Sequence, residues 1–146
     1  MLAIRIRTDE GVNVPAYATD GSSGVDIEAG ESVRIFSETW QKVRTGLYFE
    51  IPEGFEMQVR SRSGLASRGI IIMNQPGTLD SDYRGELILI VHNLQKESYK
   101  IDKGDRIAQG VFVAVERAQF TLVDALNDTS RGEGGLGSTG VGSSCP

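Results

Sequence analysis

Short apolar runs broken by turn residues leave this chain one route to a core, which is β-sheet. Segments rich in branched and aromatic residues fall at 2–7, 33–36, 43–50, 55–60, 70–73, 86–92, 98–101 and 110–116. Partial alternation within them matches the two-residue period of a half-buried strand. Turn clusters separate them: Gly11/Asn13/Pro15, Asp20–Gly24, Pro52–Gly54, Asn74–Gly77, Gln95–Glu97 and Lys103–Asp105. Helical periodicity is nearly absent. One short helix is expected around Ser63–Arg68, where Ser63 is placed to cap Gly64-Leu65-Ala66. Strands of this length and spacing predict an all-β barrel or jelly roll.

A chain of 146 residues suits one domain with a real core. Composition divides it: residues 1–126 carry the strand pattern and predict the barrel domain, while 127–146 are Gly-rich and cannot supply a packed core. A terminal stretch of this kind is either a disordered tail or an arm that orders over a ligand. The longest apolar runs, Leu87–Val91 and Val111–Val115, are strand-length and too short for a membrane-spanning helix. The N-terminal Met1-Leu2-Ala3-Ile4-Arg5-Ile6-Arg7 alternates, which reads as a strand and not as the continuous apolar core of a signal peptide, so a cytoplasmic protein is expected. A net charge of −5 argues against polymeric DNA or RNA as partner, since such binders need a basic face. It leaves room for a small anion held by a few arginines. With one cysteine, Cys145, and one histidine, His92, neither an intrachain disulfide nor a zinc site can form.

Five segments carry the candidate chemistry. Gly135-Leu136-Gly137-Ser138-Thr139-Gly140 has the spacing of a dinucleotide fingerprint, but no helix can follow it in the six residues that remain. The local physics survives: glycines permit close backbone approach, Ser138 and Thr139 offer hydroxyls, and Arg131 offers a fork of donors, a set suited to polyphosphate. Arg60-Ser61-Arg62-Ser63-Gly64-Leu65-Ala66 joins a cation and a hydroxyl to the amides of a helix start, which favour anions. Alone, such a run is as easily a solvated edge. In Gly77-Thr78-Leu79-Asp80-Ser81-Asp82-Tyr83-Arg84-Gly85-Glu86, Pro76-Gly77 and Gly85 bracket a tight hairpin whose return strand is Leu87–Val91. Asp80, where the strand enters the turn, is either a commonplace turn aspartate or a general base for water. Gly104-Asp105-Arg106-Ile107-Ala108-Gln109 and Ser23-Gly24-Val25-Asp26-Ile27 are turns entering strands, with Gln109 a candidate phosphate donor and Asp26 a cap or a group near a cation.

Taken in order, these segments closely resemble the five motifs of trimeric dUTPases, over nearly the whole chain from Asp26 to Gly140. The resemblance implies a distorted jelly-roll subunit in a homotrimer, with three active sites at subunit contacts. It implies hydrolysis of dUTP to dUMP and pyrophosphate by water attack on the α-phosphorus, which keeps dUTP low and supplies dUMP for thymidylate synthesis. Asp80 would orient and deprotonate the water, and Tyr83 would lie under the deoxyribose, where a 2′-hydroxyl collides with its ring. Backbone groups of Leu79 and Ile88 would read uracil, with Asn74, Gly77 and Thr78 beside them. Arg62, Ser63, Gly64 and Gln109 of neighbouring subunits would hold the phosphates around Mg2+, which takes no direct protein ligand and meets Asp26 at most through water. The arm would close over another subunit's nucleotide, Arg131 acting as an arginine finger and Leu136, Gly137, Ser138 and Thr139 covering it, with Ser138 and Thr139 on the γ-phosphate.

One departure stands out: the family's usual aromatic on uracil is replaced by Leu136, which forfeits roughly 1 kcal/mol of stacking. Three rivals are weighed. A dCTP deaminase would need a glutamate-centred base where this chain has Asp80. A non-catalytic nucleotide sensor would lack the base or the arm. A sugar-binding jelly roll would show an aromatic cluster, which is missing here. Elsewhere His92 reads as a packed or edge residue, Trp40 as a core edge or subunit contact, Phe49 and Phe55 as core, and Arg5 and Arg7 as outward-facing.

Overall fold

Alternation along the strands sorts side chains by face, and the faces assemble the sheets. The structure is a computed structural model that describes residues 2–136. Eleven strands run in chain order: β1 Arg5–Thr8, β2 Val25–Glu28, β3 Val33–Ile35, β4 Trp40–Arg44, β5 Leu47–Glu50, β6 Phe55–Ser61, β7 Ile70–Ile72, β8 Gly77–Leu79, β9 Ile88–Asn93, β10 Tyr99–Ile101 and β11 Arg106–Ala114. One short helix, α1 Ser63–Ala66, follows β6. The pairings are antiparallel throughout. A four-stranded sheet has the order β2-β11-β6-β8, a three-stranded sheet β4-β9-β7, and β1-β5 and β3-β10 form two-stranded sheets. The all-β, jelly-roll-like architecture with one short helix is therefore the expected one.

The inward faces are branched and aliphatic. Val25 and Ile27 of β2, Met57 and Val59 of β6, Ile70 and Ile72 of β7, and Leu89 and Val91 of β9 are all buried in one hydrophobic cluster. Burial of each such side chain contributes about 1.5–3 kcal/mol. The same alternation turns Asp26, Gln58 and Arg60 outward, which is how core-forming strands come to present polar side chains to a site.

Local expectations needed several corrections. The run 43–50 is two strands, because Thr45-Gly46 interrupts it and Gly46 takes φ +68, a left-handed conformation. Segment 77–86 is not a laddered hairpin: β8 pairs with β6 in one sheet, whereas the run after Gly85 enters β9 in the other. Its two limbs are recruited by different partners. Ser63 is the first residue of the helix, not its cap; Arg62 holds the cap position, and no side chain caps the helix. Arg5 and Arg7 face outward as expected, Arg5 pairing with Glu50 at 3.1 Å and the Arg7 guanidinium lying 3.5 Å from the Tyr48 ring centroid.

Two contact units divide the chain, one ending at Glu116 and the other beginning at Arg117. The second unit is held internally by turns such as Gly132 N–H to Thr129 O at 3.0 Å. Among the described residues no helix is long and apolar enough to cross a membrane.

Candidate active site

A cavity of about 200 Å³ opens where β8 leaves its sheet. Leu79, the last residue of β8, is buried, so the next residue, Asp80, emerges exposed at the rim. The loop turns back at once: Tyr83 N–H donates to Asp80 O at 3.2 Å, and Arg84 Nη1 donates to Ser81 O at 2.7 Å. The Tyr83 hydroxyl donates to the Glu86 carbonyl at 3.1 Å. This lays the ring across Gly85, where a Cβ would run into the phenol oxygen and ring. Asn74, Gly77, Thr78, Leu79, Asp80, Tyr83 and Ile88 all line the cavity, as do Val59, Ile72 and Leu89 from the core side. An apolar floor with a carboxylate, an amide and a phenol at the rim suits a small ligand with both apolar and polar edges.

A second cavity of about 460 Å³ is lined by Arg62, Ser63, Gly64, Arg68, Arg106 and Gln109, with Tyr99 and Asp105. Gln109 lies directly opposite Asp26 on β2 and Arg60 on β6, so the three share one face of the four-stranded sheet. The pairing irregularity between Arg106 and Ala108 sets that register. Asp26 anchors two arginines: its carboxylate lies 3.0 Å from Arg62 Nε and 3.2 Å from Arg106 Nη1. The Arg62 contact is an ion pair without hydrogen-bond alignment, since the buried Nε has no hydrogen-bond partner among the described atoms. Arg62 Nη1 donates to the Arg106 carbonyl at 2.8 Å. Held cations beside the exposed Ser63 and Gly64 make this cavity a natural receptor for an anion.

The first cavity therefore gathers Asn74, Gly77, Thr78, Leu79, Asp80, Tyr83 and Ile88, the second gathers Arg62, Ser63, Gly64 and Gln109, and the two share no lining residue. In the C-terminal unit Arg131 is exposed and its Nε donates to Gly134 O at 2.7 Å, while Leu136 is exposed with φ +43. Gly137, Ser138 and Thr139 lie outside the described residues.

Among the described residues no group of three His, Cys, Asp or Glu side chains could hold a metal. Asp26, already shared by two guanidinium groups, is poorly suited to bind a cation directly. The donor set fits a metal carried by an anionic ligand.

Sequence reasoning gave no role to Glu86, Arg44 or Arg68. Glu86 stood at the end of a motif, and Arg68 just past another. Nothing local marks Arg44, because its significance lies in a partner 42 residues away. His92 is half-buried, facing Trp40 on β4 and Ile71 on β7.

Comparison with known proteins bears on this geometry. A family model described as dUTPase matches residues 10–140. The deoxyuridine 5′-triphosphate nucleotidohydrolase of Fusobacterium nucleatum subsp. nucleatum is 49% identical over 140 residues, covering 94% of this chain and 96% of that protein. A variant of the dUTPase of Staphylococcus bacteriophage 80alpha, solved with dUpNHpp, superposes with a TM-score of 0.88 at 25% identity, covering 95% of this chain and 99% of the other. A variant of the dUTPase of phage phi11 of S. aureus, described with a structural Mg(II) ion, superposes at a TM-score of 0.80 and 23% identity, over 86% of this chain and 99% of that one.

Proposed function

The chain belongs to the dUTPase family, and from that premise we propose how its two cavities divide the work on dUTP. The enzyme is a dUTP nucleotidohydrolase, which converts dUTP to dUMP and pyrophosphate. The observation that carries the division is the first cavity: apart from Leu136 of the arm, the residues expected around base, sugar and attacking water all line it. Uracil lies against the backbone of Leu79 and Ile88, with Asn74, Gly77 and Thr78 beside it. Tyr83 lies under the deoxyribose, where a 2′-hydroxyl would strike its ring.

Asp80, at the rim, accepts a proton from the water as its oxygen bonds to the α-phosphorus. The bond from that phosphorus to the bridging oxygen breaks, and pyrophosphate departs with the electron pair. The triphosphate rests on Arg62, Ser63, Gly64 and Gln109 in the second cavity of another subunit. Two cavities without a common residue are compatible with a site completed between copies of the chain, and the resemblance to trimeric dUTPases makes that assembly a homotrimer. From the arm at 127–146, Arg131 brings a cation to the developing charge. Leu136 covers the base, Gly137 gives close approach, and Ser138 and Thr139 meet the γ-phosphate. Asp26 would meet Mg2+ at most through water, and the ion would supply neutralisation of the triphosphate charge. Working on a free nucleotide pool, the enzyme belongs in the cytoplasm.

The deciding experiment is pyrophosphate release from dUTP with Mg2+, with dCTP, dTTP and UTP in parallel. A strong preference for dUTP is expected. Ammonia released from dCTP would identify a deaminase instead, and no turnover by a folded trimer would identify a nucleotide-binding protein.

A further inference from the structure

Glu86 belongs to the active-site loop, yet its carboxylate turns away to meet a distant part of the chain. Only 12% of its side chain is exposed. One oxygen accepts the Gly46 amide at 2.8 Å, and the other accepts Arg44 Nε at 2.9 Å. Arg44 Nη2 continues to Asp9 at 3.2 Å, and Asp9 N–H returns to Gly46 O at 2.9 Å, which closes a ring of contacts. Gly46 is required there: beyond its positive φ, a Cβ would lie 2.8 Å from Val12 Cγ2. The following residue is fastened as well, with Leu87 N–H on Leu47 O at 2.8 Å and Thr45 Oγ1 on Leu87 O at 2.6 Å. The main chain of Glu86 faces the other way and accepts the Tyr83 hydroxyl at 3.1 Å.

One residue thus grips the barrel through its side chain and the Tyr83 ring through its backbone. We propose that the Glu86–Arg44 pair is a positioning lock that fixes the Tyr83 ring and so sets the preference for deoxyribose over ribose. The inference rests on the placement of Tyr83 under the sugar given above. Exclusion of a 2′-hydroxyl by collision depends on where the ring sits to within a fraction of an ångström, whereas binding of uracil by backbone groups tolerates more. Arg44 is 55% exposed, so its charge alone contributes little. What matters is the direction of two hydrogen bonds onto a nearly buried carboxylate. The hydrogen bond to Glu86, then the charge of Glu86, raises the Arg44 guanidinium above its ordinary pKa.

The test compares kcat/KM for dUTP and UTP in Glu86→Gln and Arg44→Gln. Gln at 86 can still accept from Gly46 but sets a donor or a weaker acceptor against Arg44. In each variant the dUTP/UTP ratio should fall by about tenfold or more. The double variant should fall no further than the singles, because they act as one unit, and Arg44→Lys should keep part of the ratio. A role confined to stability would slow both substrates equally and leave the ratio unchanged, and that result overturns the proposal. Tryptic cleavage after the exposed Arg84, measured without nucleotide, reads the loop independently and should run several-fold faster in both Gln variants. Equal cleavage rates overturn the lock even if the enzyme hydrolyses dUTP. A wild-type chain inert toward dUTP overturns the proposed function instead, and the cleavage rates still decide the lock.

Discussion

At the scale of single residues, the proposed base is a side chain whose neighbours leave it exposed. Asp80 follows the buried Leu79 and points where water can reach it. Asp80→Asn keeps the size and loses the base: kcat for dUTP should drop by about 10²–10⁴ with KM nearly unchanged. Turnover close to wild type would remove Asp80 from the role. Leu136 makes the opposite prediction. Leu136→Phe restores a ring to the arm and should tighten a non-hydrolysable dUTP analogue by roughly fivefold in titration calorimetry, the worth of about 1 kcal/mol of stacking. An unchanged affinity would mean that the arm does not place position 136 on the base. Asp80 was legible as a residue poised at the end of a strand. Its exposure was not, because that depends on β8 leaving its sheet at Leu79.

Elements are fixed by polar contacts that no periodicity announces. Asn93, at the end of β9, is fully buried and its amide donates to Ile35 O, Phe36 O and Glu97 O at 3.2, 3.3 and 2.7 Å, while its oxygen accepts Gln95 N–H at 2.9 Å. It ties β9 to the end of β3 and to the turn before β10. Asn93→Ala leaves those groups unpaired in the core and should lower unfolding stability by about 2–4 kcal/mol in urea titrations. A loss below about 1 kcal/mol would show that water replaces the amide. In sequence Asn93 looks like one more polar residue before a turn. The same limit hid Glu86, whose partners are Arg44 at the end of β4 and Gly46 in the turn that follows it. Glycine was more legible, since turn glycines announce themselves by type. That Gly46 would split the run 43–50 into two strands needed its φ.

For the whole molecule, the feature that bears on assembly is that the proposed base-side and phosphate-side cavities have no lining residue in common. On the proposed reading each active site takes the base-side cavity of one chain and the phosphate-side cavity of another, so activity should follow assembly. Sedimentation equilibrium should report a trimer, and dUTP turnover per chain should fall when dilution dissociates it. A monomer with full specific activity would refute the shared site. The bare sequence carried the order of the five segments and hence the family. It could not divide them between two cavities, because Arg62 and Gln109 come to line one cavity only after β6 and β11 pair.

Sequence by itself determined what depends on neighbours along the chain: the β character of the apolar runs, facing of side chains, turn chemistry, and the order of motifs that identifies a dUTPase. These follow from local sterics and a two-residue period, which a string of residues states directly. Tertiary structure alone decided which strands pair, that β8 joins β6 while the chain beyond Gly85 joins the other sheet, and that Asp26 answers Arg106 from 80 positions away. Such choices rest on competition among distant partners for hydrogen bonds and buried area, and no short window of sequence holds both sides of that competition.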